Sequence, residues 1–327
     1  NREYDAIVKG KKQKYSMELT TTGAGTYIKN LFNVFEQPFS APKNVGYLKL
    51  LISLFEREPF IVLDFFSGSS TTADAVIQLN AEDAGNRKFI MVQFPENLDE
   101  NLIKASSEAE KKTIQSAISI CDELNKPHLL TIIGKQRIRL AGKKIKDETL
   151  DRYKKELTQI ERELEQQTLG GSEELKRKMV ELEAKIEHIK NLDIGFRVYR
   201  TDSSNMKDIF YHPTQLTQQQ LSAFESNIKE DRTPEDLLTQ VILDLGLELS
   251  LPIEKKEILG NNVFIVQENA LVACFDDSID FGIVDRIADL KPLKVVFKDA
   301  SFKDDKDRVN VEERFKRLSP ETIVSVI

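Results

Sequence analysis

Residues Phe60–Ala75 read FIVLDFFSGSSTTADA. The stretch opens with an apolar run, Ile61, Val62 and Leu63, which ends in Asp64-Phe65-Phe66. Ser67-Gly68-Ser69-Ser70 follows, and Thr71 and Thr72 then lead into a pattern that puts Ala73, Val76 and Leu79 on one helical face. This predicts a buried strand, a tight turn and the N-terminus of a helix. Small turn residues let a ligand approach the backbone, and the unpaired amides of a first helical turn attract a negative group. In an open α/β sheet, ligands sit beyond the carboxyl ends of the strands.

Working outward, Phe89-Ile90-Met91-Val92 is a second apolar run, and Gln93-Phe94-Pro95 separates it from Glu96. An acid at the end of a second strand is placed to accept from both hydroxyls of a ribose. The expected ligand is therefore a nucleoside bearing a carboxylate or phosphate near the turn. Ser70 stands where a dinucleotide fingerprint would have its second glycine. The plainer reading, a βαβ unit whose glycine only makes a turn, stays open on spacing alone.

FFSGSSTTADAV with LNAEDAGNRKFIMVQFPE resembles motifs I and II of the AdoMet-dependent DNA amino-methyltransferases of the β order. The similarity is closest to the modification subunits of type III restriction–modification systems. Phe39-Ser40-Ala41-Pro42-Lys43-Asn44 resembles their motif X, and GFRVYRTDSSN (Gly195–Asn205) and KPLKVVFKDASFKDD (Lys291–Asp305) resemble later stretches. The resemblance implies an α/β fold: a Rossmann-like methyltransferase sheet and a smaller C-terminal α/β domain. It implies S-adenosyl-L-methionine as cofactor, held by Phe39, Ser40, Pro42, Lys43, Asp64, Phe65, Phe66, Ser67, Gly68, Ser69, Ser70, Thr71, Thr72 and Glu96. It further implies adenine-N6 methylation of DNA, a restriction subunit as partner, a homodimer of modification subunits, and a cytoplasmic location.

Composition bounds these readings. The 327 residues suffice for two domains, and the net charge of −7 does not suit a surface that grips nucleic acid throughout. Two cysteines, Cys121 and Cys274, suggest a reducing compartment without a disulfide framework. No signal peptide and no apolar run of spanning length is present, so no membrane partner is expected. His128, His188 and His212 lack metal-ligand spacing, and no metal site is expected. The acids Asp299, Asp304, Asp305 and Asp307 fit a solvated loop better than a cation site. The first residue is Asn1, so the chain is read as beginning inside a longer protein.

Three regions are expected: a segment 1–36, a methyltransferase domain 37–205, and an accessory domain 206–327. The first region is polar and basic, reading as a frayed terminus or the tail of a preceding DNA-reading module. Gly23-Ala24-Gly25-Thr26 punctuates it before helical spacing over Tyr27–Phe35. Asn44 is placed to cap a helix over Val45–Glu56. Asn101–Asn125 is helix-rich. The basic run Lys135, Arg137, Arg139, Lys143, Lys144 and Lys146 reads first as a solvated face and second as a phosphate contact by Arg137 or Arg139.

Two apolar seams then recur three and four apart, one from Leu150 to Leu164 and one from Leu175 to Ile189. With Leu169-Gly170-Gly171-Ser172 between them, they predict an inserted helical hairpin over 149–191. Phe196–Arg200 alternates like a strand, and Asp202 is either a turn residue or an acceptor for the cofactor's adenine amine. Thr233-Pro234-Glu235 starts a helix, Val263–Val266 and Leu271–Phe275 form a hairpin, and a helix Ile279–Leu290 and a strand Leu293–Phe297 follow.

One element is missing. Methylation of an exocyclic amine needs an Asp/Asn-Pro-Pro-Tyr/Phe segment in this family, and the sequence contains none. Family order places that segment and the DNA-reading region before motif X. No catalytic residue is therefore assigned, and the chain alone is expected to be inactive. Two other readings stay open: a Rossmann-like oxidoreductase with another nucleoside cofactor, and a non-catalytic assembly module built on the hairpin and terminal domain.

Overall fold

The computed structural model describes residues 2–8, 11–17, 21–55, 59–166, 172–207, 227–277, 279–302 and 305–327. The chain is mixed α/β and divides into two compact units, Asn1–Phe196 and Arg197–Ile327. His212, Asp304 and the Leu169–Gly171 part of the expected hairpin turn lie outside the described residues.

In the first unit, β1 (Arg2–Val8) and β2 (Lys11–Met17) pair antiparallel, where the basic composition had suggested a frayed terminus or a tail. Helix α1 spans Thr21–Phe32 and contains the glycines expected to punctuate it. The Gln37 side chain lies against Gly25, where a Cβ would be 2.4 Å from its Oε1. Helix α2 (Val45–Ser53) is capped by Asn44, whose side chain accepts from the Tyr47 amide.

Strand β3 (Ile61–Asp64), helix α3 (Thr71–Asp83) and strand β4 (Lys88–Met91) form a parallel βαβ unit, with Leu63 opposite Ile90. Alanines at 73, 75 and 81 let neighbouring helices approach α3 closely. Its Ala75, Val76 and Leu79 pack with Val45 and Ile52 of α2, and its Ala73, Ile77 and Ala81 with Ile138, Ile189 and Leu192.

The expectation of a fully buried strand fails on one face. Val62 and Phe89 turn into the core, but Ile61 (50 % exposed), Leu63 (57 %) and Ile90 (49 %) do not. Side chains alternate across a strand, and among the described residues helices cover only the Val62–Phe89 side.

Helices α4 (Leu98–Lys104) and α5 (Glu108–Glu123) follow, and then α6 (Leu130–Gln166). At 37 residues α6 is one rod of about 55 Å. The expected first arm of the hairpin is therefore the second half of a longer helix that begins within the core. Its partner α7 spans Ser172–Lys190. Leu150, Tyr153, Leu157, Ile160 and Leu164 meet Leu175, Met179, Leu182 and Ile186 in one cluster. The base of α7 is anchored: Ile189 joins the α3 cluster, and His188 Nε2 lies 3.0 Å from the Asn80 carbonyl.

The expected strand over Phe196–Arg200 does not form. Phe196 instead lies under the Arg139 guanidinium at 5.2 Å.

The second unit is a five-stranded sheet in the order β5 (Ile253–Ile258), β6 (Asn261–Val266), β7 (Leu271–Cys274), β8 (Lys294–Phe297), β9 (Ile323–Val326). The first three strands are antiparallel and the last three parallel. Helix α8 (Pro234–Asp244) starts at Thr233 with a reciprocal capping box to Asp236 and packs on one face through Leu237, Leu238, Val241 and Ile242. Helices α9 (Phe281–Asp289) and α10 (Asp305–Leu318) cover the other face through Ile283, Val284, Ile287, Val311 and Phe315. Arg197 and Tyr199 each donate to the Leu249 carbonyl, and Asp202 accepts from the Ser203 amide at 2.7 Å, as a turn residue does.

Candidate functional site

The turn between β3 and α3 is built from two left-handed residues, Gly68 at φ +50° and Ser70 at φ +61°. Gly68 cannot be exchanged freely, because a Cβ there would lie 2.9 Å from Cζ of Phe39. The tertiary fold thus brings Phe39, from the loop before α2, onto the turn. In that loop Pro38 and Pro42 are buried, while Ser40 and Lys43 are exposed. Ser67, Ser69, Ser70, Thr71 and Thr72 are buried. Phe65 (61 % exposed) and Phe66 (85 %) project from the strand end with ring centroids 5.3 Å apart.

Hydrogen bonds close the turn from beneath. Asp64 Oδ2 accepts from Thr72 Oγ1 at 2.6 Å, and its Oδ1 from the Phe66 amide at 3.2 Å. The Ser67 amide donates to the Val92 carbonyl, tying the turn to the end of β4. Ser70 makes no side-chain cap, so no cap from it occupies the first amides of α3.

Gln93 joins the two strand ends. Its Oε1 accepts from the Gly68 amide at 2.7 Å, and its Nε2 reaches Glu96 Oε1 at 3.4 Å. Glu96, half-buried, also accepts from Asn101 Nδ2 at 3.2 Å. The acid and the turn, 28 positions apart from Gly68 to Glu96, are thus linked through one amide side chain. Sequence reasoning missed Gln93, and only its place at a strand end could have flagged it.

Arg137 was misread in both of its sequence interpretations. It is neither a solvated charge nor a phosphate contact, since it is fully buried. Its Nε and Nη2 donate to Asp74 Oδ2, each at 3.2 Å. Its Nη1 donates to Ser69 Oγ at 3.0 Å and to Thr71 Oγ1 at 2.7 Å. Asp74 Oδ1 accepts from Tyr27 and Gln78. Burial and the Asp74 carboxylate push the Tyr27 phenol well above its ordinary range. Ile133, Arg137 and Ala141 lie four apart on the buried face of α6, but that spacing alone does not tell which of the basic residues turns inward.

The loop carrying Glu96 is fastened from α6 as well. The Leu130 amide donates to the Glu96 carbonyl, and Leu98 donates to the His128 carbonyl. His128 places Nδ1 2.9 Å from Asp99 and Nε2 2.9 Å from Asp122. Hydrogen bonds to Asp99 and then Asp122 raise its pKa above the ordinary histidine value. A raised folded pKa means the stabilisation is complete below the unfolded value of about 6.5 and is lost as pH rises through the folded value. The wild-type advantage over His128→Asn in urea midpoint should therefore be largest below about pH 6.5 and shrink as the pH rises through the raised folded value. Parallel pH profiles for the two proteins would remove His128 from this role.

Among the described residues, no group of three His, Cys, Asp or Glu side chains is arranged to hold a metal ion, and no helix is long and apolar enough to cross a membrane.

Residues 2–96 match the family described as DNA methylase, and that match ends on Glu96. The EcoPI Mod subunit of a type III restriction-modification enzyme, from Escherichia phage P1, is 42 % identical over 82 residues. This chain resembles the type III modification subunits. The StyLTI Mod subunit from Salmonella typhimurium is 36 % identical over 110 residues, and the type II methyltransferase M.KpnI from Klebsiella pneumoniae 40 % over 55. The matches cover 25 %, 33 % and 17 % of this chain, and only 12 %, 16 % and 13 % of those three proteins.

Proposed function

We propose that the first unit binds S-adenosyl-L-methionine across the turn Ser67–Ser70, as the cofactor-binding part of an adenine-N6 DNA methyltransferase of the type III modification kind. The observation that carries this reading is the Gly68–Gln93–Glu96 linkage. It joins a close-approach turn at a helix N-terminus to an acid beyond the next parallel strand. The residues fit the cofactor: Gly68 lets the Phe39 ring close on the turn, and Ser70 places no side-chain cap on the first amides of α3. Glu96 would accept from the ribose hydroxyls, and the α3 amides would face the methionine carboxylate. Asp64, Phe65 and Phe66, with the loop Phe39, Ser40, Pro42 and Lys43, would line the remainder. When bound, the cofactor supplies an electrophilic methyl group.

In this reading the first unit belongs to a Rossmann-like methyltransferase domain with residues 149–191 as its inserted hairpin, and the second is an accessory domain. DNA, a restriction subunit and a second modification subunit are the partners. The base-orienting Asp/Asn-Pro-Pro-Tyr/Phe segment is absent from this sequence, so the chain by itself binds the donor but does not orient an amine for attack.

Calorimetry with S-adenosyl-L-methionine and NAD in parallel tests the reading, together with transfer of labelled methyl to mixed-sequence DNA. Binding of the first ligand alone, without transfer, is the expected result. Binding of NAD alone would favour an oxidoreductase. Sequence-specific transfer would require an amine-orienting site within these residues.

A further inference from the structure

We propose that Arg137, on α6 and outside the strand–turn–helix pattern, is the positioning residue of the cofactor turn; this rests on the S-adenosyl-L-methionine reading above. Ser70 sits in the left-handed region at φ +61° and ψ +39° without a side-chain cap. That conformation is unfavourable for a non-glycine residue, so its surroundings must hold it. The residues on either side of it, Ser69 and Thr71, are both gripped through their hydroxyls by Nη1 of Arg137. The guanidinium is itself fixed by Nε and Nη2 on Asp74 Oδ2. The same helix supplies the floor: a Cβ on Gly134, one turn earlier, would lie 2.6 Å from Ser70 Oγ and 3.3 Å from the Gly68 carbonyl.

Arginine suits this task and lysine does not. The planar fork keeps two donors on Asp74 while a third nitrogen faces the hydroxyls, whereas an ammonium is one point with no fixed direction. Arg137 touches no ligand in this account. It sets where the amides at the start of α3 point, and so how well they receive the anionic end of the cofactor.

The test uses the full chain, S-adenosylhomocysteine as probe, and hydrogen exchange of the Ser67–Thr72 amides. R137K should bind about tenfold more weakly, the worth of one hydrogen bond to a charged group, and should exchange those amides faster. Adding Ser70→Gly should restore much of the affinity, because glycine accepts the left-handed conformation without a clamp. A role confined to general stability would not be rescued at position 70. Should R137K fail to fold, the Ser69→Ala/Thr71→Val pair removes the gripped hydroxyls, leaves the Arg137–Asp74 pair in place, and should show the same two changes. Unchanged affinity and exchange in the variants would overturn the proposal. A wild-type chain that binds no probe would instead overturn the cofactor reading, and the amide exchange would still decide whether Arg137 holds the turn.

Discussion

Asp74→Ala is expected to remove about 3–5 kcal/mol from the stability of the first unit, a large share of the roughly 5–15 kcal/mol that keeps a domain folded. Asp74 and Arg137 are both fully buried, and among the described residues Asp74 is the sole carboxylate to which Arg137 donates. Deleting the acid leaves a buried guanidinium without its carboxylate, and it also removes an acceptor from the Tyr27 hydroxyl and the Gln78 amide. The cost arises from the asymmetry and not from the pair as such. Asp74→Leu combined with Arg137→Met, which leaves no charge behind, should lose far less. Urea denaturation, with hydrogen exchange of α3 to separate this unit from the second, measures both. Equal losses in the single and double variants would show that the pair contributes through packing alone.

Glu96→Ala should weaken S-adenosyl-L-methionine binding by about 1.5–3 kcal/mol, roughly ten- to a hundredfold. The carboxylate stands beyond β4, oriented by Asn101 and Gln93 and tied through Gln93 to the turn. A ribose offers two hydroxyl donors, and a carboxylate is the side chain that accepts from both. Glu96→Gln is the sharper variant, because it keeps the shape and the contact to Asn101 but gives up the charge. Isothermal titration at one salt concentration, with circular dichroism as the folding control, reads both effects. An Ala variant that binds as tightly as the wild type would take Glu96 out of the site and leave only the turn.

Much of the local structure was legible because it depends on few residues close in sequence. The strand, turn and helix of Ile61–Asp83 follow from an apolar run, small residues and a helical face. Asn44 and Thr233 cap the helices they precede, and the seams of α6 and α7 share one cluster except for Ile189, which joins the α3 cluster. Such features are set by backbone preference and by side-chain period, which a sequence displays directly. Glu96 could be singled out from its offset after a strand, because strand ends are where a sheet presents ligand groups.

Only the tertiary structure decided the rest. A charge run looks alike whether it faces water or a core, and the buried arginine among the basic residues of α6 was settled by Asp74, 63 positions away. The glycines of α1 read as a break until Gln37 was seen against Gly25. Among the described residues the alternation of Phe196–Arg200 finds no strand to pair with, and a strand exists only as part of a ladder. The apolar run of β3 promised burial on both faces, yet Ile61 and Leu63 lie open, because cover depends on which helices return to that side of the sheet. Pairing, burial and the partner of a buried charge are properties of distant residues brought together, and no local pattern encodes them.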